Sequence, residues 1–118
     1  MRVLIAETDL ALLQRMSQAL ERAGHEVAAA SDGMQAWRQL TGAAPPDLVV
    51  TRLHLGPGTP PGTALGLRAR SCEPPIPVLY IPADAERAER ADAGHGAVLA
   101  EPFSMAELAE AARRLLGR

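Results

Sequence analysis

The chain has 118 residues, 47% of them hydrophobic and 22% charged, with a formal net charge of -2. That size suits one compact domain with a core of its own, and a near-neutral charge with arginines interleaved among acids excludes the broad basic field of a nucleic-acid binder. A single cysteine, Cys72, excludes an internal disulfide and a cysteine-rich metal site and fits a reducing compartment.

The first element is a short apolar strand over residues 2–6, after which Leu12, Leu13, Met16, Ala19, Leu20 and Ala23 recur at helical spacing up to Gly24. Thr8 or Asp9 can cap that helix. Residues 25–30 read as a second strand that ends at the turn-like Ser31-Asp32-Gly33, and the following helix turns Trp37 and Leu40 inward. Ala43-Ala44-Pro45-Pro46 stops it, and the β-rich run Asp47-Leu48-Val49-Val50-Thr51 predicts a buried central strand leading to Arg52.

Residues 56–62, Gly-Pro-Gly-Thr-Pro-Pro-Gly, predict an exposed loop over the sheet edge, because proline lacks a donor and glycine loses the most backbone entropy. A short helix over residues 63–70 contains Gly66, at a cost of about 1 kcal/mol relative to alanine, and is expected to be the weakest. Residues 76–81 read as the fourth strand, residues 84–93 as a charged helix and residues 97–100 as a short fifth strand. Ser104 and Glu107 form a capping-box pattern, followed by the inward stripe Leu108, Ala111, Ala112 and Leu115. Strict β and α alternation predicts a parallel sheet with helices on both faces, and one domain over residues 1–118. No apolar run approaches the roughly 20 residues needed to span a bilayer, and Met1 opens directly on a strand without a signal-peptide pattern. A cytoplasmic chain with no membrane partner is expected.

In such sheets binding groups gather at the carboxyl ends of the strands, which here carry Glu7, Arg52, Pro82 and Glu101. The stretches Arg2-Val3-Leu4-Ile5-Ala6-Glu7, Gly24-His25-Glu26-Val27, Ser31-Asp32-Gly33, Pro46-Asp47-Leu48-Val49-Val50, Ile76-Pro77-Val78 and Pro102-Phe103 together resemble the receiver domain of bacterial two-component response regulators over the whole chain. The resemblance implies a flavodoxin-like (βα)5 three-layer sandwich with a five-stranded parallel sheet of order 2-1-3-4-5. It also implies what the strand ends should carry: two acids for Mg²⁺ after the first strand, a phosphate-accepting aspartate after the third, a Thr or Ser after the fourth and a lysine after the fifth.

Only Glu7 matches that set. Thr8 stands at the second acid, Arg52 at the acceptor, Pro82 at the hydroxyl residue, Glu101 at the lysine and Val98 at the aromatic of the fifth strand. A guanidinium has no nucleophilic oxygen and stays cationic, so a degenerate, non-phosphorylatable site with no metal and no cofactor is expected. Asp47 cannot substitute as acceptor, because it begins the strand and lies roughly 16 Å from Arg52 at about 3.3 Å per residue. Asp9 is better placed, but belongs to the helix cap.

The changes at the third and fifth strand ends exchange the signs of a pair, Arg52 with Glu101 in place of aspartate with lysine. At about 4 Å and an effective dielectric near 20, such a pair gains roughly 4 kcal/mol of gross Coulomb energy, much of it offset by desolvation. Two arrangements fit the sequence. Arg52 either bridges Glu101 and Glu7 within the site, or snorkels outward with its stem on the sheet rim.

His25, His54 and His95 are too dispersed for a metal site, and Trp37 reads as packing. By resemblance, Arg87, Arg90, Val98, Arg113 and Arg114 could lie on a partner or dimer face, although a charged helix is ordinarily a solvated one. The expected function is therefore protein-protein interaction in signal transduction, with a histidine kinase, phosphotransfer protein or other regulator as partner, or a second copy in a homodimer. The alternatives are an anion or small-metabolite sensor built on Arg52, and the receiver portion of a longer regulator.

Overall fold

The computed structural model describes residues 1–81 and 96–117. The predicted helix over residues 84–93, with Arg87 and Arg90, lies outside the described residues, as do Pro82 and His95. Within them the order is β1 (Arg2–Ala6), α1 (Leu10–Arg22), β2 (Glu26–Ala30), α2 (Gly33–Leu40), β3 (Leu48–Thr51), α3 (Gly62–Arg70), β4 (Val78–Tyr80), β5 (Ala97–Val98) and α4 (Met105–Leu115).

The strands form one five-stranded sheet of order β2-β1-β3-β4-β5, with every pairing parallel. Successive side chains of a strand point to opposite faces, and both faces here are covered, so residues 3–6 of β1 and 48–50 of β3 are consecutive buried apolar residues. On one face Leu4, Ala6, Val49, Val78 and Tyr80 pack with Ala36 and Leu40 of α2 and Leu65 and Ala69 of α3. On the other, Val3, Ile5, Leu48, Val50 and Leu79 pack with Leu13, Met16 and Leu20 of α1 and Leu108 and Ala112 of α4. This is the three-layer sandwich expected from the alternation.

Register places the carboxyl ends of the strands in one row. Ala6 lies opposite both Ala30 and Thr51, Thr51 opposite Tyr80, and Tyr80 opposite Val98. The backbone ladder runs one residue further: Glu7 donates to Ala30 O, Arg52 to Ala6 O, Ile81 to Thr51 O and Leu99 to Tyr80 O, at 2.8–3.1 Å. Residues just past each strand are thereby held by backbone bonds before any side chain acts.

Local chemistry sets the helix starts. Asp9 Oδ1 accepts from Leu12 N at 3.1 Å, Asp32 Oδ1 from Gln35 N at 2.8 Å, and Ser104 and Glu107 form the reciprocal capping box. Three expectations are corrected. The fourth strand is shorter than residues 76–81, because Ile76 donates instead to Ala69 O at the end of α3 and Pro77 has no N–H to give. The fifth ends at Val98. The loop before α3 is exposed at Gly56, Pro57, Gly58 and Pro61 as expected, but Thr59 and Pro60 are half-buried and Gly62 is buried, and Thr59 Oγ1 donates to Leu55 O at 2.9 Å.

Gly66 also carries a different meaning from the one its helix propensity suggests. A Cβ there would stand 1.8 Å from Tyr80 Oη, and Tyr80 is fully buried. The glycine lets α3 close over the aromatic ring of β4, so its cost in propensity is set against packing of the largest side chain in the core.

Candidate functional site

Of the four strand ends that define the site, Arg52 follows one and the other three meet at its side chain. Its side chain leaves the end of β3 and lies along the row of carboxyl ends, 17% exposed. Nε donates to Glu7 Oε1 at 2.5 Å, Nη1 to the carbonyl oxygen of Ile81 at 3.3 Å, and Nη2 is ion-paired with Glu101 Oε1. All three guanidinium nitrogens are thus engaged, each by a residue that follows a different strand. The inward bridge is the arrangement adopted, and the outward one is not.

The two acids differ in setting. Glu7 is fully buried and Glu101 is 33% exposed at its side chain. A buried carboxylate needs both a counter-charge and donors for its remaining lone pairs; Glu7 Oε2 accepts from the backbone N–H of Asp9 at 3.0 Å. Burial by itself pulls the Arg52 pKa down, but hydrogen bonds and charge from Glu7, and then from Glu101, more than offset this, and the guanidinium is held above its ordinary value. The cation is permanent.

Backbone packing completes the setting. Gly62, the first residue of α3, carries no Cβ where one would stand 1.9 Å from the carbonyl oxygen of Arg52, and its N–H donates to Leu53 O at 2.8 Å. Thr51, also fully buried, turns its hydroxyl onto Arg52 O at 2.8 Å. Neither Gly62 nor the Ile81 carbonyl was legible as part of the site. A carbonyl is carried by every residue and leaves no mark in a sequence.

The residues present do not fit a divalent cation. Magnesium asks for oxygen ligands, with at least one carboxylate free to coordinate it, yet both oxygens of Glu7 are taken, Thr8 is exposed and brings no carboxylate, and Asp9 is committed to its cap. Among the described residues no three His, Cys, Asp or Glu side chains converge. Asp47 is placed at the far end of the sheet, where its Oδ2 accepts from Arg2 N at 2.8 Å. The constellation cross-links the strand ends electrostatically, its guanidinium engaged by both carboxylates.

Of the surface residues singled out, Val98 is 36% exposed and lines a groove of about 280 Å³ with Leu79, Leu99 and Arg114. Arg113 lies elsewhere. It is paired with Glu110 through Nε at 2.9 Å and Nη2 at 2.6 Å, and borders a separate groove shared with Gly24 and His25. The adjacent arginines of α4 therefore face two different surfaces. Trp37 is half-buried against the α2–α3 side of the core, and Cys72 is half-buried with its Sγ 3.4 Å from Arg68 O. No helix among the described residues is long and apolar enough to cross a membrane.

Residues 3–113 match the response regulator receiver domain family. Among curated proteins, the chain is 31% identical over 118 residues to the transcriptional regulatory protein PrrA of Mycobacterium bovis, covering 99% of this chain and 50% of that protein. It spans about half the length of the curated relatives it matches. Among solved structures, a response regulator receiver protein from Sinorhizobium medicae superposes with a TM-score of 0.87 at 30% identity, covering 98% of this chain and 93% of that one. A response regulator from Chloroflexus aurantiacus gives a TM-score of 0.83, also at 30% identity, covering 99% and 98%.

Proposed function

We propose that this chain, which belongs to the response regulator receiver domain family, signals by binding a protein partner without itself accepting a phosphoryl group. The observation that carries this reading is the position of Arg52. It follows β3 where the family's acceptor aspartate is expected, and its guanidinium is already committed to Glu7 and Glu101. Phosphoryl transfer to a carboxylate requires a nucleophilic oxygen in line with the donor and cations to neutralise the transferred charge. Here the oxygen is missing and the cation belongs to the protein.

With that chemistry gone, what the fold retains is surface. A partner of the kind that receivers meet, a histidine kinase, a phosphotransfer protein or another regulator, is the reading that family membership supports. A transcriptional role, as in the PrrA relatives, would need chain beyond the receiver region that they share with this one. The alternative of an anion sensor on Arg52 has less support, since an incoming anion would have to displace Glu101 or Glu7 from the guanidinium.

The test is exposure of the protein to acetyl phosphate and Mg²⁺, followed by intact mass measurement. No phosphoryl adduct is expected for the wild type or for Arg52→Asp alone, because the second metal acid and the lysine are still absent. The triple variant Thr8→Asp/Arg52→Asp/Glu101→Lys should gain a Mg²⁺-dependent adduct. Uptake by the wild type would end the proposal.

A further inference from the structure

The guanidinium of Arg52 joins more of the fold than a pair of charges requires. Its stem follows β3, Nε reaches the residue after β1, Nη1 the residue after β4, and Nη2 the loop between β5 and α4. One side chain thus links the carboxyl ends of four of the sheet's five strands. Two of the anchor points sit beside short ladder segments: β4 has three residues and β5 has two. Short strands hold few backbone bonds and open most easily.

From this we infer that Arg52 is a built-in clamp, which fixes the β4 end and the β5–α4 loop against the centre of the sheet in one conformational state, independent of metal or phosphoryl group. The inference rests on the proposed reading of the site as non-phosphorylatable. It adds that the β4–β5 side of the sheet is held constitutively by an internal cation. The geometry divides the work: the bond to Ile81 O holds the β4 end, the pair with Glu101 holds the loop, and the buried Glu7 fixes the arginine itself.

Two backbone amides report on the clamp separately. Ile81 N donates to Thr51 O at 3.0 Å just past β4, and Leu99 N to Tyr80 O at 2.8 Å just past β5; Val49 N, bonded to Pro77 O at 3.0 Å, is the internal reference within β3. Residue-resolved hydrogen exchange of the whole chain should show Arg52→Met speeding Ile81 and Leu99 by about tenfold or more relative to Val49. Glu101→Gln, a milder change on the more exposed acid, should speed Leu99 while leaving Ile81 near its wild-type rate. Acceleration of all three amides in step, or of none, in both variants would overturn the clamp.

Wild-type protein from the same preparation is given acetyl phosphate and Mg²⁺ and weighed. An adduct with the exchange pattern as expected would remove the non-phosphorylatable reading and leave the cross-link. No adduct with unchanged exchange would remove the clamp alone.

Discussion

Glu7 and Arg52 stand 2.5 Å apart, carboxylate to guanidinium, the first fully buried and the second 17% exposed. Taking one member away is costlier than the pair is worth, because the other is left as an uncompensated charge in a dry setting. Arg52→Met should therefore destabilise the fold by about 3–5 kcal/mol, and adding Glu7→Gln to it should recover much of that loss. Urea denaturation of the two single variants and the double variant measures the coupling. The pair with Glu101 is expected to contribute less, about 1 kcal/mol or below, since that acid is one-third exposed and screened.

A second prediction concerns Gly66. Alanine at a helix interior ordinarily gains about 1 kcal/mol over glycine, yet a Cβ here would meet Tyr80 Oη at 1.8 Å and Cζ at 3.0 Å. Overpacking wins, and Gly66→Ala should lower stability by about 1–3 kcal/mol. Tyr80→Phe in the same background should recover part of it, by removing the nearer contact and not the farther one. Thermal denaturation of Gly66→Ala with and without Tyr80→Phe decides this.

The third prediction is an absence of pH dependence. Arg52 has a raised pKa in the fold, so the native state holds its proton more tightly than the unfolded chain does. Such a contribution is complete below the unfolded value and is lost only as pH climbs through the folded one, beyond the range in which proteins are studied. The stability difference between the wild type and Arg52→Met/Glu7→Gln, in which position 7 no longer titrates, should thus stay flat from about pH 6 to about pH 10, when followed by urea titration at each pH. A difference that decays within that window would mean that a weaker base holds Glu7. On the acid side, Glu110 is lowered by its hydrogen bond from Arg113; its contribution is present above the ordinary carboxylate value and is lost as pH falls through the lowered one. The group is fully exposed and screened, so its acid limb should be slight.

Much of this protein was legible from local pattern. Apolar spacing marks β1, α1, β3 and α4; Ser104 and Glu107 announce a cap; and the arginine after β3 declares by its chemistry alone that no acyl phosphate can form there. These readings depend on neighbours in sequence, where periodicity and side-chain chemistry act over a few residues. Packing gave the rest. Whether Arg52 turned inward, that Ile81 O is its third partner, that Gly66 lies against Tyr80, and that Arg113 and Arg114 face different grooves all depend on residues brought together by sheet register. Glu7 and Arg52 are 45 positions apart and Ile81 is a further 29, and only the parallel alignment of β1, β3 and β4 sets the distance between them.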